Sequence, residues 1–287
     1  MVGMSTILSI QSAVAFGHVG NSAAVFPLQR LGHEVWPVYT VNYSNHTGYG
    51  QWRGPMIPAS DVAAVIEGIG DRGALSRVDA VLSGYQGGDD IAGVIVDAVA
   101  RVKQENPNAV YACDPVMGNA NSGCFVSENI PPLLRDKVVP VADIITPNQF
   151  ELGYLTEMEA TDLDSTLAAV EAAREMGPRT VLVTSVKRPE ADPEHSIEMV
   201  VADDSGTYIV QTPRLPFKRN GSGDVAAALF TGHYVSTGDA AASLATTASS
   251  VFGLLEQTFE AGSEELLLVE SQEHYAHPAL QFKVERI

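Results

Sequence analysis

The sequence predicts an α/β fold, with a central, mostly parallel sheet and helices on both faces in a three-layer α/β/α arrangement. Two observations predict it. Short β-rich runs alternate with amphipathic stretches along most of the chain, the rhythm of a parallel sheet flanked by helices. The strands also finish repeatedly in small or polar residues, as expected where a sheet presents its carboxyl edge to a ligand.

The candidate strands are TILSIQS (6–12), EVWPVYTV (34–41), VDAVLSGY (78–85), AVYACDP (109–115), DIITPN (143–148) and TVLVTS (180–185). Between most of them, segments 20–32, 60–70, 89–104 and 165–177 carry apolar residues at helical spacing. SIEMVVA and TYIVQT, joined by DDSG, predict an antiparallel hairpin. Beyond Asp224 the chain is helical and rich in Ala, Ser and Gly through LATTASSVFGLLEQ, a composition suited to close helix packing. No internal repeat or long low-complexity linker divides it, so residues 1–287 are expected to form one domain. Five strand ends, at Gln11-Ser12, Ser83-Gly84-Tyr85, Asp114-Pro115, Thr146-Pro147-Asn148 and Thr184-Ser185, offer hydrogen-bonding groups. They predict a crevice along one edge of the sheet.

Composition narrows the function. A chain of 287 residues that is 45% hydrophobic and 18% charged is globular, with ample length for a core. Its net charge of −18 repels nucleic acid and anionic membrane surfaces. Two cysteines without a CxxC pair, and seven scattered histidines, supply neither a disulfide framework nor zinc-ligand spacing. The N-terminal MVGMSTILSIQS has no basic n-region and only a short apolar run, so a cytoplasmic protein is expected.

The phosphate-binding signals point late in the chain. Gly-Lys never occurs, which excludes a Walker A loop. GIGDRG (68–73) has dinucleotide-type spacing but follows a helical stretch, and is expected to be a helix end and loop. GSGDVA (221–226) does open a helix, yet it follows RLPFKRN instead of a buried strand, which disfavours a nicotinamide enzyme. Gly221 and Gly223 permit close backbone approach to a ligand, and the free N–H groups of the first helical turn favour an anion. Asp224 in that turn either complements the helix dipole or accepts a proton from an attacking hydroxyl. Arg214, Lys218 and Arg219 just upstream, in an acidic protein, favour the second role and phosphoryl transfer.

NGSGD resembles the G-A-G-D signature of the ribokinase superfamily. Together with SIQS…GHVGNSAAVFPLQRLG, NYSNHTGYGQW, LSGYQG, CDPVMGN, DIITPNQFELGYLT and KRNGSGD, it resembles the pyridoxal kinases in order across nearly the full length. The resemblance implies a ribokinase-like domain that phosphorylates the 5′-hydroxyl of pyridoxal with ATP, giving pyridoxal 5′-phosphate. It also implies Mg2+ with the nucleotide, often a monovalent cation such as K+, and commonly a homodimer. Asp224 then corresponds to the catalytic base, and Gly221, Ser222 and Gly223 to the anion hole. Ser12 and Thr47 match substrate-binding positions, and Tyr85 an aromatic beside the pyridine ring. Asp114, Thr146, Glu151 and Thr184 match nucleotide positions, with Arg214 and Lys218 assigned to ATP. Asp114 and Glu151 would act on the metal through water, because carboxylates do not bind a triphosphate directly.

His46, in the substrate segment, is expected to be structural, and Cys113 to be core. Cys124 lies in a Gly- and Asn-rich segment, where a thiolate would add reversibly to an aldehyde. No neighbouring cation lowers its pKa, which favours an ordinary, partly buried cysteine. Three rival functions stand beside the kinase: phosphorylation of hydroxymethylpyrimidine, non-catalytic binding of vitamin B6 or nucleotide, and a nicotinamide-dependent dehydrogenase.

Overall fold

The computed structural model describes residues 4–287. In chain order its strands are β1 (Thr6–Val14), β2 (Glu34–Tyr43), β3 (Ala80–Ser83), β4 (Val110–Cys113), β5 (Gly118–Asn119), β6 (Gly123–Cys124), β7 (Ile144–Ile145), β8 (Thr180–Val186), β9 (Ser196–Asp203), β10 (Gly206–Pro213) and β11 (Val284–Arg286). Its helices are α1 (Asn21–Arg30), α2 (Ala59–Gly70), α3 (Ile91–Glu105), α4 (Ile130–Leu133), α5 (Gln149–Thr156), α6 (Leu163–Glu175), α7 (Ser222–Thr237), α8 (Ala240–Glu260) and α9 (Gln272–Ala276). Among the described residues the main sheet has nine strands, in the order β2-β1-β3-β4-β7-β8-β9-β10-β11. The first six run parallel, and β9 to β11 join antiparallel. β5 and β6 form a separate ribbon.

Because strand side chains alternate between faces, the sheet builds two cores at once. Leu8, Val81, Tyr111, Ile145 and Val183 pack in one core with apolar residues of α2, α3, α5 and α6. Their sequence neighbours Ile7, Leu82, Ala112, Ile144 and Leu182 pack in the other with residues of α1, α7 and α8. The helices answer with one apolar face each; α3 buries Ile91, Ile95, Ala98 and Val102, a three- and four-residue spacing.

The predicted alternation and the β9–β10 hairpin are present, and GIGDRG closes α2 as expected. Two predicted strand ends are corrected. β1 runs on to Val14, and between Gln11 and Ala13 the single residue Ser12 faces both Thr40 and Val41 of β2, so it sits opposite a bulge. β8 runs on to Val186 with a shift between Val183 and Val186, where Thr184 and Ser185 form a bulge, Ser185 at φ 56. Bulges break the ladder locally and re-aim side chains, and Ser12, Thr184 and Ser185 all stay at the ligand edge. β7 shrinks to two residues because Pro147 has no N–H for the ladder and Asn148 already caps α5. α6 starts at Leu163, where Asp162 accepts the Ser165 N–H at 2.8 Å. No helix among the described residues is long and apolar enough to cross a membrane.

Candidate active site

A cleft of about 1740 Å³ opens over the carboxyl ends of the parallel strands. Drug-sized pockets span roughly 300–1,000 Å³, so this one has room for two ligands side by side. Every site residue inferred from the sequence borders it.

One end is built around Ser12. The β1–β2 pair beside it is pinned by Asn21, which no sequence motif marks as a site residue and whose buried amide donates to the carbonyls of Ser9, Gln11 and Val38 at 3.3, 3.2 and 3.1 Å. Gly20, at φ 54, leaves space for that serine; a Cβ there would stand 2.3 Å from Ser12 Oγ. Tyr85 follows β3, half-buried, with burial raising its phenol pKa. Thr47 comes from an arm, residues 44–53, that folds back over this end and carries a short turn, Thr47–Tyr49. His46 caps that turn, its Nδ1 accepting the Gly48 N–H at 2.9 Å, and it also borders the cleft.

The other structural pole is the start of α7. Gly221, at φ 87, turns the chain against the β1–α1 loop, where a Cβ would lie 1.8 Å from the His18 carbonyl oxygen. Ser222 and Gly223 then begin the helix with N–H groups that have no hydrogen-bond partner among the described residues. Asp224 is half-buried beneath them. Desolvation pushes its carboxyl up to about 6, against the favourable pull of the Gly20 N–H and its own.

Two further acids lie behind it. Asp114, just past β4, is 6% exposed and, among the described residues, its side chain accepts only the Thr146 hydroxyl, at 3.2 Å. Burial, then the charges of Glu151 and Asp224, hold its carboxyl well above the usual range. Glu151 is 4% exposed and forms a capping box with Asn148 at the start of α5. Its Oε2 accepts the Asn148 N–H at 2.9 Å, and its Oε1 those of Met117 and Gly118 at 3.0 and 3.3 Å. Burial outweighs these bonds and pushes it up to about 7.

Cations gather at the rim. Arg214 and Lys218 are exposed, with Arg214 Nη1 bonded to the Pro193 carbonyl at 2.6 Å. Lys187 joins them and was not foreseen. Its backbone is clamped to Gln149 by bonds of 3.0 and 3.1 Å, and its pKa is lowered by burial and then by Arg214 and Lys218. None of these three forms an ion pair among the described residues. Arg219, by contrast, is a structural cation, donating to the Ser263 carbonyl at 2.7 Å and stacking on Phe217. Only proximity of side chains from β8, α5 and the 213–219 loop reveals Lys187; no sequence signal marks it.

The family model described as phosphomethylpyrimidine kinase matches residues 77–268. Pyridoxal kinase PdxY of Corynebacterium diphtheriae is 71% identical over 281 residues, 98% of this chain and 99% of the relative. The chain belongs to the pyridoxal kinase family. Among solved structures, pyridoxal kinase from Leishmania donovani in complex with ADP and ginkgotoxin superposes with a TM-score of 0.92 at 30% identity, covering 99% of each chain. The same kinase in complex with ADP and pyridoxamine gives 0.91 at 28%, again over 99% of each. The ribokinase-like fold of these pyridoxal kinases is therefore the fold of this family member.

In this pyridoxal kinase family member, no three His, Cys, Asp or Glu side chains among the described residues converge as a ready metal cage. The acids still suit a hydrated divalent cation. Asp114 and Glu151 are buried acids with raised pKa and no basic partner, and Glu151 has both oxygens engaged by backbone N–H groups. Cys113 is core, as expected. Cys124 is exposed on the β5–β6 ribbon instead of partly buried, and partial desolvation and the Glu151 charge raise its pKa, which favours the thiol.

Proposed function

We propose that this chain transfers the γ-phosphoryl group of ATP to the 5′-hydroxyl of pyridoxal. One observation carries the reading: a carboxyl near neutral pKa, at a glycine-rich helix start, shares a cleft with the strand-end hydroxyls, the second acid pair and the rim cations. Relatives called pyridoxal kinase, one solved with ADP and pyridoxamine, support it.

In this reading Ser12 and Thr47 bond the polar edge of the ring and Tyr85 flanks its face. Asp224, in the first turn of α7, takes the proton of the attacking hydroxyl. The N–H groups of Gly221, Ser222 and Gly223 stabilise charge on the phosphoryl oxygens in a loose transition state, where positioning and electrostatics dominate. Lys187, Arg214 and Lys218 hold the phosphate chain, with Thr184 and Thr146 beside the nucleotide. Asp114 and Glu151 would hold Mg2+ through its waters. When bound, that ion neutralises phosphate charge and aligns the chain of phosphates. Walls built on one continuous nine-stranded sheet, from β2 at one edge to β11 at the other, favour a single kinase domain. Family resemblance supports a homodimer, a cytoplasmic location and a monovalent cation such as K+.

A coupled ADP-release assay over pyridoxal, pyridoxine, pyridoxamine and hydroxymethylpyrimidine, with Mg2+ and with or without K+, tests the reading. Pyridoxal turnover is expected. Turnover of hydroxymethylpyrimidine alone would move the chain to that activity, and tight pyridoxal binding without turnover would make it a binding protein.

A further inference from the structure

Glu265 joins three segments around the substrate end of the cleft. One carboxylate oxygen accepts the hydroxyl of Tyr49 at the tip of the 44–53 arm, and the other accepts the His18 N–H at 3.2 Å. Gly17, at φ 87, makes room for this carboxylate; a Cβ there would stand 2.5 Å from Oε2. The Tyr49 ring also packs on Phe16, with centroids 6.2 Å apart. Ser263 steadies the acid from behind, its hydroxyl donating to the Glu265 carbonyl at 2.6 Å. The Ser263 carbonyl in turn holds Arg219, two residues ahead of Gly221.

The arm is internally stiff. Ser44 N–H bonds the Arg53 carbonyl at 2.7 Å, and Asn45 Nδ2 bonds the Gln51 carbonyl at 2.9 Å. Its base is stitched to the β1–α1 loop, where the Ala15 and Phe16 N–H groups reach the Tyr43 and Ser44 carbonyls at 2.9 Å. At the tip, among the described residues, hydrogen bonding to the rest of the protein reduces to Tyr49 with Glu265. An arm fixed at its base, with one hydrogen bond and the Phe16 ring contact at its tip, is free to move as a unit once that hydrogen bond opens and the rings slide apart.

We propose that Glu265 is a positioning residue that latches this arm. The Tyr49–Glu265 bond holds Thr47 over the substrate end of the cleft, and opens for substrate entry and product release. The identity of the substrate here rests on the pyridoxal kinase reading; the latch geometry does not.

The test uses the full chain with Tyr49→Phe, Glu265→Ala and both together, in a Trp36→Phe background where Trp52 on the arm is the remaining tryptophan. Tyr49 is 45% exposed, so loss of its hydroxyl opens no cavity and leaves the Phe16 contact intact. Without ligands, acrylamide quenching of Trp52 is expected to rise about twofold in each variant, the release of one tip contact. The KM for pyridoxal is expected to rise about tenfold and the KM for ATP to stay within about twofold; because Glu265 also holds the His18 N–H, the double variant is expected to match Glu265→Ala, with Tyr49→Phe adding nothing once Glu265 is gone. Unchanged quenching and KM in Tyr49→Phe would overturn the latch, as would single effects that multiply in the double variant. If the parent chain does not phosphorylate pyridoxal, the functional reading fails, and the quenching series alone decides the latch.

Discussion

At Asp224 two effects on one carboxylate oppose each other. The first turn of a helix favours the ionised form by roughly 0.3–1 kcal/mol, whereas desolvation in the cleft opposes it. Desolvation wins, and the group titrates near 6. A base must be deprotonated to act, so kcat/KM for pyridoxal is expected to climb with pH and level off above about 6, with the limb absent in Asp224→Asn. That variant should lower kcat by about 10²–10⁴ while leaving pyridoxal affinity nearly intact, as read by steady-state kinetics and equilibrium titration. Equal losses in both would make the acid structural. Asp224 was legible in the sequence because the glycines and basic residues around it are its chain neighbours. Asn21 and Lys187 were not, because their partners lie on other strands and on helix α5.

At the scale of elements, the turn into α7 separates two reasons for glycine. Gly221 has φ 87 and faces the His18 carbonyl, so Gly221→Ala should cost about 1–3 kcal/mol or more and lower the melting temperature together with activity. Gly223 has nothing within 4 Å of its virtual Cβ and does not require a left-handed backbone. Gly223→Ala should therefore keep the parent melting temperature while kcat falls, because the methyl group meets the phosphoryl group alone. A fall in stability equal to that of Gly221→Ala would assign Gly223 to folding. Periodicity exposed the long elements, since β alternation and helical spacing are written within a single segment. It missed the bulges at Ser12 and Thr184, because register belongs to a pair of strands. It also missed α4, α9, β5, β6 and β11, which span two to five residues and carry no period to detect.

Across the whole molecule, three of the 35 acidic side chains, Asp114, Glu151 and Asp224, share one cleft. All three have folded pKa values above their ordinary ones, Glu151 near 7 and Asp224 near 6. Between about pH 4 and 7 the native state therefore holds protons that the unfolded chain has already released, and stability contributed by these groups declines as pH rises. His33, His46 and His233, whose pKa values burial lowers, act in the opposite direction, so the comparison with Asp224→Asn isolates the acid: from pH 5 to pH 7.5 the melting temperature of the free parent is expected to fall relative to that of the variant. Mg2+ with ATP is expected to restore the loss at pH 7.5 by supplying positive charge and binding only the native state. Thermal melts across that range check both, and an identical pH profile in the variant would contradict the assignment. By itself the sequence determined the layering, the order of the main elements and the glycine-framed acid, because each depends on residues close together in the chain. Only the tertiary structure decided which side chains share the cleft and how strongly its acids are desolvated. Those properties arise when distant segments exclude water from one another, and no single stretch of chain carries them.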